Sequence, residues 1–319
     1  MNKAEKLVEV RNLKKYFKVA GGSLHAVDDV SFKVEKGRTM GIVGESGCGK
    51  STLGRVMIHL IESTAGTILF DGQDVTHLSG RALKNYRHQV SIIFQDPYSS
   101  LNPRMTVEQT LSEALLITGK YKRAEIDGQV RRLVDLVGLD RRFMKAFPHE
   151  LDGGRRQRVG IARALAIDPK FIVCDEPVSA LDVSIQAQIV NLLQELQKKT
   201  RFAMLFIAHD LAVVEHISAR IMVMYLGKVV ESAPAHELCS NPGHPYTQAL
   251  LSAVPTIVPD REKRIILTGD VPSPLNPPHG CRFHPRCPYR QPVCEQEEPP
   301  LADASGRPGH FCACHFPWK

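Results

Sequence analysis

Apolar positions along the chain fall into short runs with strand-like spacing, interrupted by longer stretches with helical spacing. Leu7-Val8-Glu9-Val10 alternates in twos, and Asn12-Leu13-Lys14-Lys15-Tyr16-Phe17 follows it. Val27-Asp28-Asp29-Val30-Ser31-Phe32-Lys33-Val34 alternates again and ends at Glu35-Lys36-Gly37, so both runs predict outer strands. Thr39-Met40-Gly41-Ile42-Val43, Gln89-Val90-Ser91-Ile92-Ile93-Phe94, Phe171-Ile172-Val173-Cys174 and Phe202-Ala203-Met204-Leu205-Phe206-Ile207-Ala208 are strongly apolar runs, the pattern of buried strands. From Met105 to about Gly138 the spacing changes to threes and fours, through Val107, Thr110, Leu111 and Ala114, then Val130, Leu133, Val134 and Val137. A further helical stretch from Arg155 to Ile167 is stopped by Asp168-Pro169. Arg220-Ile221-Met222-Val223-Met224 and Lys228-Val229-Val230-Glu231-Ser232 predict a hairpin turning at Leu226-Gly227. The order predicts a helical block inserted between strands of one sheet.

The junction after the first buried run carries the chemistry. Gly44-Glu45-Ser46-Gly47-Cys48-Gly49-Lys50-Ser51-Thr52 stands between that strand and a helical pattern beginning at Leu53. This is the G-x-x-x-x-G-K-[ST] phosphate loop in its proper strand–turn–helix context. The glycines let successive N–H groups point inward as an anion nest at a helix N-terminus. Lys50 then reaches the β- and γ-phosphates, and the Ser51 hydroxyl takes one Mg²⁺ position.

At the next buried run, Asp175 and Glu176 follow four apolar residues and so stand at the carboxyl end of a strand, the edge where open α/β sheets bind ligands. Asp175 is expected to hold Mg²⁺, and Glu176 to orient or deprotonate the attacking water. His209-Asp210 ends the Phe202–Ala208 run in the same way, although a single histidine does not by itself mark catalysis. Either Tyr16 or Phe17 could stack on a base.

Composition adds less. The 319 residues allow one large core plus an appendage, and 43% hydrophobic with 24% charged residues is ordinary for a globular protein. No apolar run reaches the length of a membrane span, and the start Met1-Asn2-Lys3-Ala4-Glu5-Lys6 lacks a signal-peptide core, so a cytoplasmic location is expected. The net charge of +7 is scattered rather than clustered. The eight cysteines are uneven: Cys48, Cys174 and Cys239 are isolated, whereas Cys281, Cys287, Cys294, Cys312 and Cys314 crowd the end. Disulfides are not normally kept in the cytosol, so that cluster suggests metal. The gaps lack tight C-x2-C pairs, and four thiolates can hold either a [4Fe–4S] cluster or Zn²⁺.

Together these stretches resemble the ATP-binding subunit of an ABC transporter, in family order across about residues 7 to 232. Gln95 matches the Q-loop, Leu151-Asp152-Gly153-Gly154-Arg155 the LSGGQ signature, and Ser179-Ala180-Leu181-Asp182 the D-loop. Asp175 and Glu176 match the Mg²⁺ aspartate and the catalytic glutamate, and His209 the switch histidine. The resemblance also puts Phe17 at the adenine-stacking position, and gives Gln95 a share in holding Mg²⁺ beside Ser51 and Asp175. It implies an α/β fold with a P-loop NTPase (RecA-like) core, an antiparallel β subdomain and an inserted helical subdomain over about 97–165. It divides the chain into an ATPase domain, 1–235, and a C-terminal cysteine-rich extension, 236–319. Gln95-Asp96-Pro97-Tyr98-Ser99-Ser100-Leu101-Asn102-Pro103 and Asn241-Pro242-Gly243-His244-Pro245-Tyr246-Thr247 are similar to the di- and oligopeptide importer subfamily. The extension, with Pro272-Ser273-Pro274-Leu275-Asn276-Pro277-Pro278, is most similar to its dipeptide-type "F" subunits.

That resemblance implies a peripheral ATPase on the cytoplasmic face of the bacterial membrane. Its expected partners are a second homologous ATPase, in a heterodimer rather than a homodimer, two membrane permeases and an extracytoplasmic peptide-binding protein. It also implies a [4Fe–4S] cluster on Cys281, Cys287, Cys294 and Cys314, with Zn²⁺ as the alternative metal and Cys312 as the alternative to Cys314, although Ala313-Cys314-His315 fits the family's ending better. The competing functions are a soluble ABC-type ATPase acting on nucleic acid and a binding-only regulatory subunit; no Lys/Arg cluster favours the first. One departure matters: the signature serine and glutamine are Asp152 and Arg155 here. In the family that serine and the following glycines hold the γ-phosphate bound to the opposite subunit, so a bare carboxylate there would cost about 4 kcal/mol against a close unit charge at partly screened dielectric.

Overall fold

The computed structural model describes residues 5–253, 265–303 and 307–318. Its strands, in chain order, are β1 (Lys6–Val19), β2 (Gly22–Glu35), β3 (Thr39–Val43), β4 (Ala65–Phe70), β5 (Gln73–Asp74), β6 (Val90–Ile93), β7 (Phe171–Asp175), β8 (Ala203–Ile207), β9 (Arg220–Tyr225), β10 (Lys228–Pro234), β11 (Ala302–Asp303) and β12 (Phe311–Cys312). The chain divides into two compact units: the described residues of 5–35, 39–77 and 206 onward form the first, and 36–38 with 78–205 form the second.

In the larger-numbered part of the first unit, residues 206 onward join 5–35 and 39–77. Its outer layer is an antiparallel sheet in the order β2-β1-β4-β5. The expected outer strands are there but longer than their alternating cores, because β1 and β2 pair along almost their full length with bulges between Val10 and Tyr16. The short β4 and β5 were not anticipated: β4 offers only the three-residue apolar run Ile68-Leu69-Phe70, and both residues of β5 are exposed. β3 is buried at every position, which explains its continuous apolar sequence. It pairs in parallel with β9, and β9 turns back into β10 through Leu226 and Gly227, both at positive φ. That is the predicted hairpin, with the backbone a tight two-residue turn requires.

The C-terminal segment belongs to this unit. β12 pairs with β10, and β11 with β12, so the chain's end widens the sheet. Two buried charges register it. Asp28 on β2 accepts from the Tyr16 hydroxyl and from Arg282, which also donates to the Leu226 carbonyl. Burial pushes the Asp28 carboxyl up, but the tyrosine, Arg282 and Lys228 outweigh it and hold it below its usual range. Glu231 on β10 is 0% exposed and accepts from the Gly243 N–H at 2.6 Å, the His244 N–H at 3.0 Å and His310 Nε2 at 2.6 Å.

The second unit holds β6 and β7 in parallel, and the Ala203 N–H bonds the Lys170 carbonyl where β8 begins. β7 is buried at every position. The helical block lies here as helices Val107–Thr118, Ile126–Leu136 and Gly153–Leu165, broken by turns at 119–125 and 137–152. Thr106 starts the first with a reciprocal capping box to Gln109. Helix Gly80–Arg87 was not expected, since only Tyr86 in it is buried and it carries no apolar stripe.

Removing the Glu231 carboxylate strands the His310 ring and two amides in the interior. We expect Glu231→Ala to lower the unfolding free energy by about 3–5 kcal/mol, as for other broken buried pairs. Equilibrium denaturation checks this, and a loss below about 1 kcal/mol would mean the pair is dispensable.

Candidate nucleotide-binding site

In the first unit the phosphate loop joins β3 to helix Lys50–Met57. Two of its glycines are dictated by contact as well as conformation. Gly44 has φ of 152°, and a Cβ there would lie 2.2 Å from the Met224 carbonyl oxygen. Gly49 has φ of 103°, and a Cβ there would lie 1.9 Å from the Ala26 carbonyl oxygen. The loop is therefore wedged between two fixed backbones. The Gly227 N–H donates to the Cys48 carbonyl at 2.9 Å and ties it to the β9–β10 turn. Lys50 is buried, and its Nζ arches back to donate to the carbonyls of Gly44 at 2.7 Å and Glu45 at 3.0 Å. Ser46, Gly47, Ser51 and Thr52 complete the turn and first helical turn, with Gly49 at the N-cap.

The Ala208 N–H donates to the Ile42 carbonyl at 3.1 Å, so His209 follows a strand end running beside β3. His209 is exposed. On β1, Tyr16 is committed inward, bonded to Asp28 and stacked on His25 at 4.2 Å. Phe17, its strand neighbour, is half-buried with the Lys15 ammonium 4.8 Å from its ring. Of the two aromatics, Tyr16 is the one committed to the interior.

The second unit gathers the other set. Asp175 closes β7 at 2% exposure, and Glu176 follows it with φ of 48°. A non-glycine residue in this left-handed region is strained, and such residues collect at functional sites. Gln95 Nε2 donates to the Glu176 carboxylate at 2.9 Å, so the structure joins two predicted residues that are 81 positions apart. The Ser179 hydroxyl donates to the Glu176 carbonyl at 3.1 Å, and Asp182 precedes helix Val183–Thr200 at its N-cap. The signature packs on this segment: a Cβ on Gly153 would lie 3.0 Å from Leu181, and one on Gly154 2.8 Å from Ile185.

Asp152 is not a bare carboxylate. It is the N-cap of helix Gly153–Leu165, accepting the Arg155 N–H at 2.7 Å, and its other oxygen pairs with the Arg155 guanidinium at 2.8 Å. Arg155 in turn lies over the Phe143 ring at 4.6 Å. The two departures from the signature are thus one compensated pair: the aspartate does the capping a serine would do, and the arginine offsets its charge.

Cys281, Cys287, Cys294 and Cys314 line one small cavity together with Phe283 and His284. Cys312 lies apart on β12, opposite Glu231. The thiols are free, and burial pushes those of Cys281 and Cys314 up to about 11. Cys314 accepts the backbone N–H of Phe316 at 3.4 Å, and the Cys281 N–H bonds the Cys294 carbonyl at 2.8 Å. Among the described residues no three His, Cys, Asp or Glu side chains are drawn into a metal-holding arrangement.

Sequence reasoning missed the residues behind the loop. The Glu45 N–H donates to the Tyr246 hydroxyl at 2.8 Å, and Arg286 forks onto the Glu45 carboxylate at 2.7 and 3.2 Å. No local spacing could have indicated a pair 241 residues apart.

Comparison with known proteins agrees with this geometry. The ABC transporter family matches residues 27–179, and the C-terminal region of oligopeptide/dipeptide transporters matches residues 230–294. The oligopeptide transport ATP-binding protein AppF of Bacillus subtilis is 51% identical over 323 residues, covering 98% of both chains. The chain belongs to the ABC transporter ATP-binding subunits. A putative peptide import ATP-binding protein of Brucella ovis is also 51% identical, covering 97% of both chains. The ABC ATPase fold recurs in cbiO1 of Clostridium perfringens, part of the cbiONQ transporter complex, with a TM-score of 0.67, 27% identity, and coverage of 74% of this chain and 91% of that one. It recurs too in a dimeric post-hydrolysis ATP-binding cassette bound to ADP and Pi, with a TM-score of 0.65, 28% identity, and coverage of 72% of this chain and 99% of that one. Among the described residues no helix is long and apolar enough to cross a membrane.

Because Asp152 caps its helix, Asp152→Ala is expected to cost about 1 kcal/mol of stability, while Asp152→Ser keeps most of it. Denaturant midpoints for the two variants check this; equal losses would show that the side-chain cap contributes nothing.

Proposed function

We infer that this chain binds and hydrolyses ATP to energise the import of dipeptides or oligopeptides through membrane permeases. The observation that carries the reading is the wedged phosphate loop with its buried lysine, in a chain that also holds a strained glutamate backed by a glutamine. The names of its full-length relatives supply the peptide. The subunit would work as one of two homologous ATPases beneath two permeases, on the cytoplasmic face, with an extracytoplasmic peptide-binding protein delivering the solute.

The loop amides and Lys50 would hold the β- and γ-phosphates, and Phe17 would stack on the adenine. Glu176, oriented by Gln95, would aim water at the terminal phosphoryl, with His209 supporting its oxygens. Ser51, Gln95 and Asp175 would hold Mg²⁺, which offsets charge on the phosphates. Gly153, Gly154 and the Asp152–Arg155 pair would meet the nucleotide bound to the opposite subunit, with Asp182 beside them. Arg155 offsets part of the repulsion that an unpaired Asp152 would bring, which favours turnover with the altered signature.

The cysteine turn fits a metal group. Four free thiols share one cavity, and the Phe316 N–H donated to the Cys314 sulfur favours thiolate there. Burial raises the Cys281, Cys287 and Cys314 thiols above their ordinary range, so a metal would offset what burial costs. We take the group to be a [4Fe–4S] cluster on Cys281, Cys287, Cys294 and Cys314, acting as a clamp rather than a redox centre.

Lys50→Ala and Glu176→Gln, each assembled with permeases and binding protein in proteoliposomes, should lower peptide-stimulated ATP turnover by at least about 100-fold. Glu176→Gln should still bind ATP. Uptake at the unaltered rate in either variant would refute the reading. Separately, protein purified without oxygen should be brown and carry about four iron atoms per chain. A colourless protein with stoichiometric zinc would replace the cluster by Zn²⁺.

A further inference from the structure

The phosphate loop is gripped from behind by the segment that carries the cysteines, and the grip falls on one residue. Glu45 is held twice. Its N–H donates to the Tyr246 hydroxyl at 2.8 Å, and its carboxylate takes both Nη atoms of Arg286. The same residue's carbonyl accepts Lys50 Nζ at 3.0 Å. Where the Glu45 peptide sits therefore helps to set where the lysine rests. The neighbouring Gly44 has no room to compensate, since its α-carbon is packed against the Met224 carbonyl.

Both grips are rigid on their far side. Tyr246 is fully buried in helix Pro245–Ser252, its ring 4.8 Å from Tyr225 and 5.4 Å from Phe283. The Arg286 side chain is 8% exposed. It belongs to a closed turn: the His284 N–H bonds the Cys281 carbonyl, Arg286 N–H the Phe283 carbonyl, and Cys287 N–H the His284 carbonyl. The Cys281 N–H bonds the Cys294 carbonyl at 2.8 Å, which ties the start of the turn to another of the cavity's cysteines. Arg286 thus stands directly before Cys287, on a turn that begins at Cys281 and whose two cysteines both line the cavity. Its guanidinium also neutralises the one acidic side chain of the phosphate loop, which would otherwise repel a polyphosphate.

We propose that Arg286 and Tyr246 are positioning residues for the phosphate loop, and that through Arg286 the state of the cysteine turn 281–287 sets the affinity for ATP. This rests on the nucleotide reading above and extends it to control of the same site by the extension.

The test is MgATP affinity of the full chain by calorimetry, with melting temperature recorded for every variant. Arg286→Ala should raise the Kd about tenfold, and Glu45→Ala/Arg286→Ala no more than the larger single change, because the two act through one contact. Tyr246→Phe, which keeps the ring and removes one bond, should raise it about three- to fivefold. Arg286→Lys should recover part of the loss. Cys287→Ser should weaken ATP about fivefold in the unaltered chain and have no further effect beside Arg286→Ala. Unchanged Kd in well-folded Arg286→Ala overturns the proposal, as do additive effects of Cys287→Ser and Arg286→Ala. Should Arg286→Ala fail to fold, Tyr246→Phe and Arg286→Lys decide it, and an unaltered Kd in both overturns it. An unaltered chain that does not bind MgATP refutes the nucleotide reading itself, and this proposal with it.

Discussion

A row of backbone amides can hold a polyphosphate only if it cannot relax toward other partners. Here that constraint is met by contact between backbones. Gly44 lies against the Met224 carbonyl and Gly49 against that of Ala26, each too closely for any side chain. β9 and β2, which supply those carbonyls, are themselves tied by the Asp28 N–H to the Gly227 carbonyl at 2.8 Å. The loop's curvature is thus an outcome of strand packing, and the glycines are the only residues that permit it. Pre-organisation of this kind means that little ordering cost is left for the moment of binding.

The second unit solves a different problem, which is how to keep a carboxylate aimed. Glu176 leaves a fully buried strand in a left-handed conformation and is held by Gln95 from a separate strand end. The strain is sustained by β7, buried at every position, and by the Ser179 hydroxyl on the Glu176 carbonyl. The signature shows the same economy. Exchanging serine for aspartate keeps the N-cap, and exchanging glutamine for arginine restores the charge, so the two changes are sensible together and costly apart.

What could be read from the sequence follows from how far apart cooperating residues lie. The phosphate loop, Asp175-Glu176 and the Leu226-Gly227 turn are local: their function is written in adjacent residues, so spacing alone exposed them. Gln95 and His209 needed the order of stretches along the chain. Arg286, Tyr246, Glu231 and Arg282 were illegible, because each acts on a partner brought near only by folding. Short elements were lost for another reason. β5 and helix Gly80–Arg87 bury too few side chains to leave a period, and in β4 the alternation is confined to Ile68 and Phe70.

Buried ion pairs rarely add much net stability, since desolvation consumes most of the Coulombic gain. Their recurrence where the extension meets the rest of the first unit therefore calls for another account. The Asp28–Arg282 and Glu45–Arg286 pairs, together with the Glu231–His310 hydrogen bond, each join the extension to a different part of the core: β2, the phosphate loop and β10. An extension rich in proline and poor in apolar residues could slide over an apolar surface with little penalty. A misplaced charge beneath it is far more expensive, so such pairs select one register. With Phe283 seated between two of them, the cysteines are delivered to one cavity, and the phosphate loop is braced by the same fit.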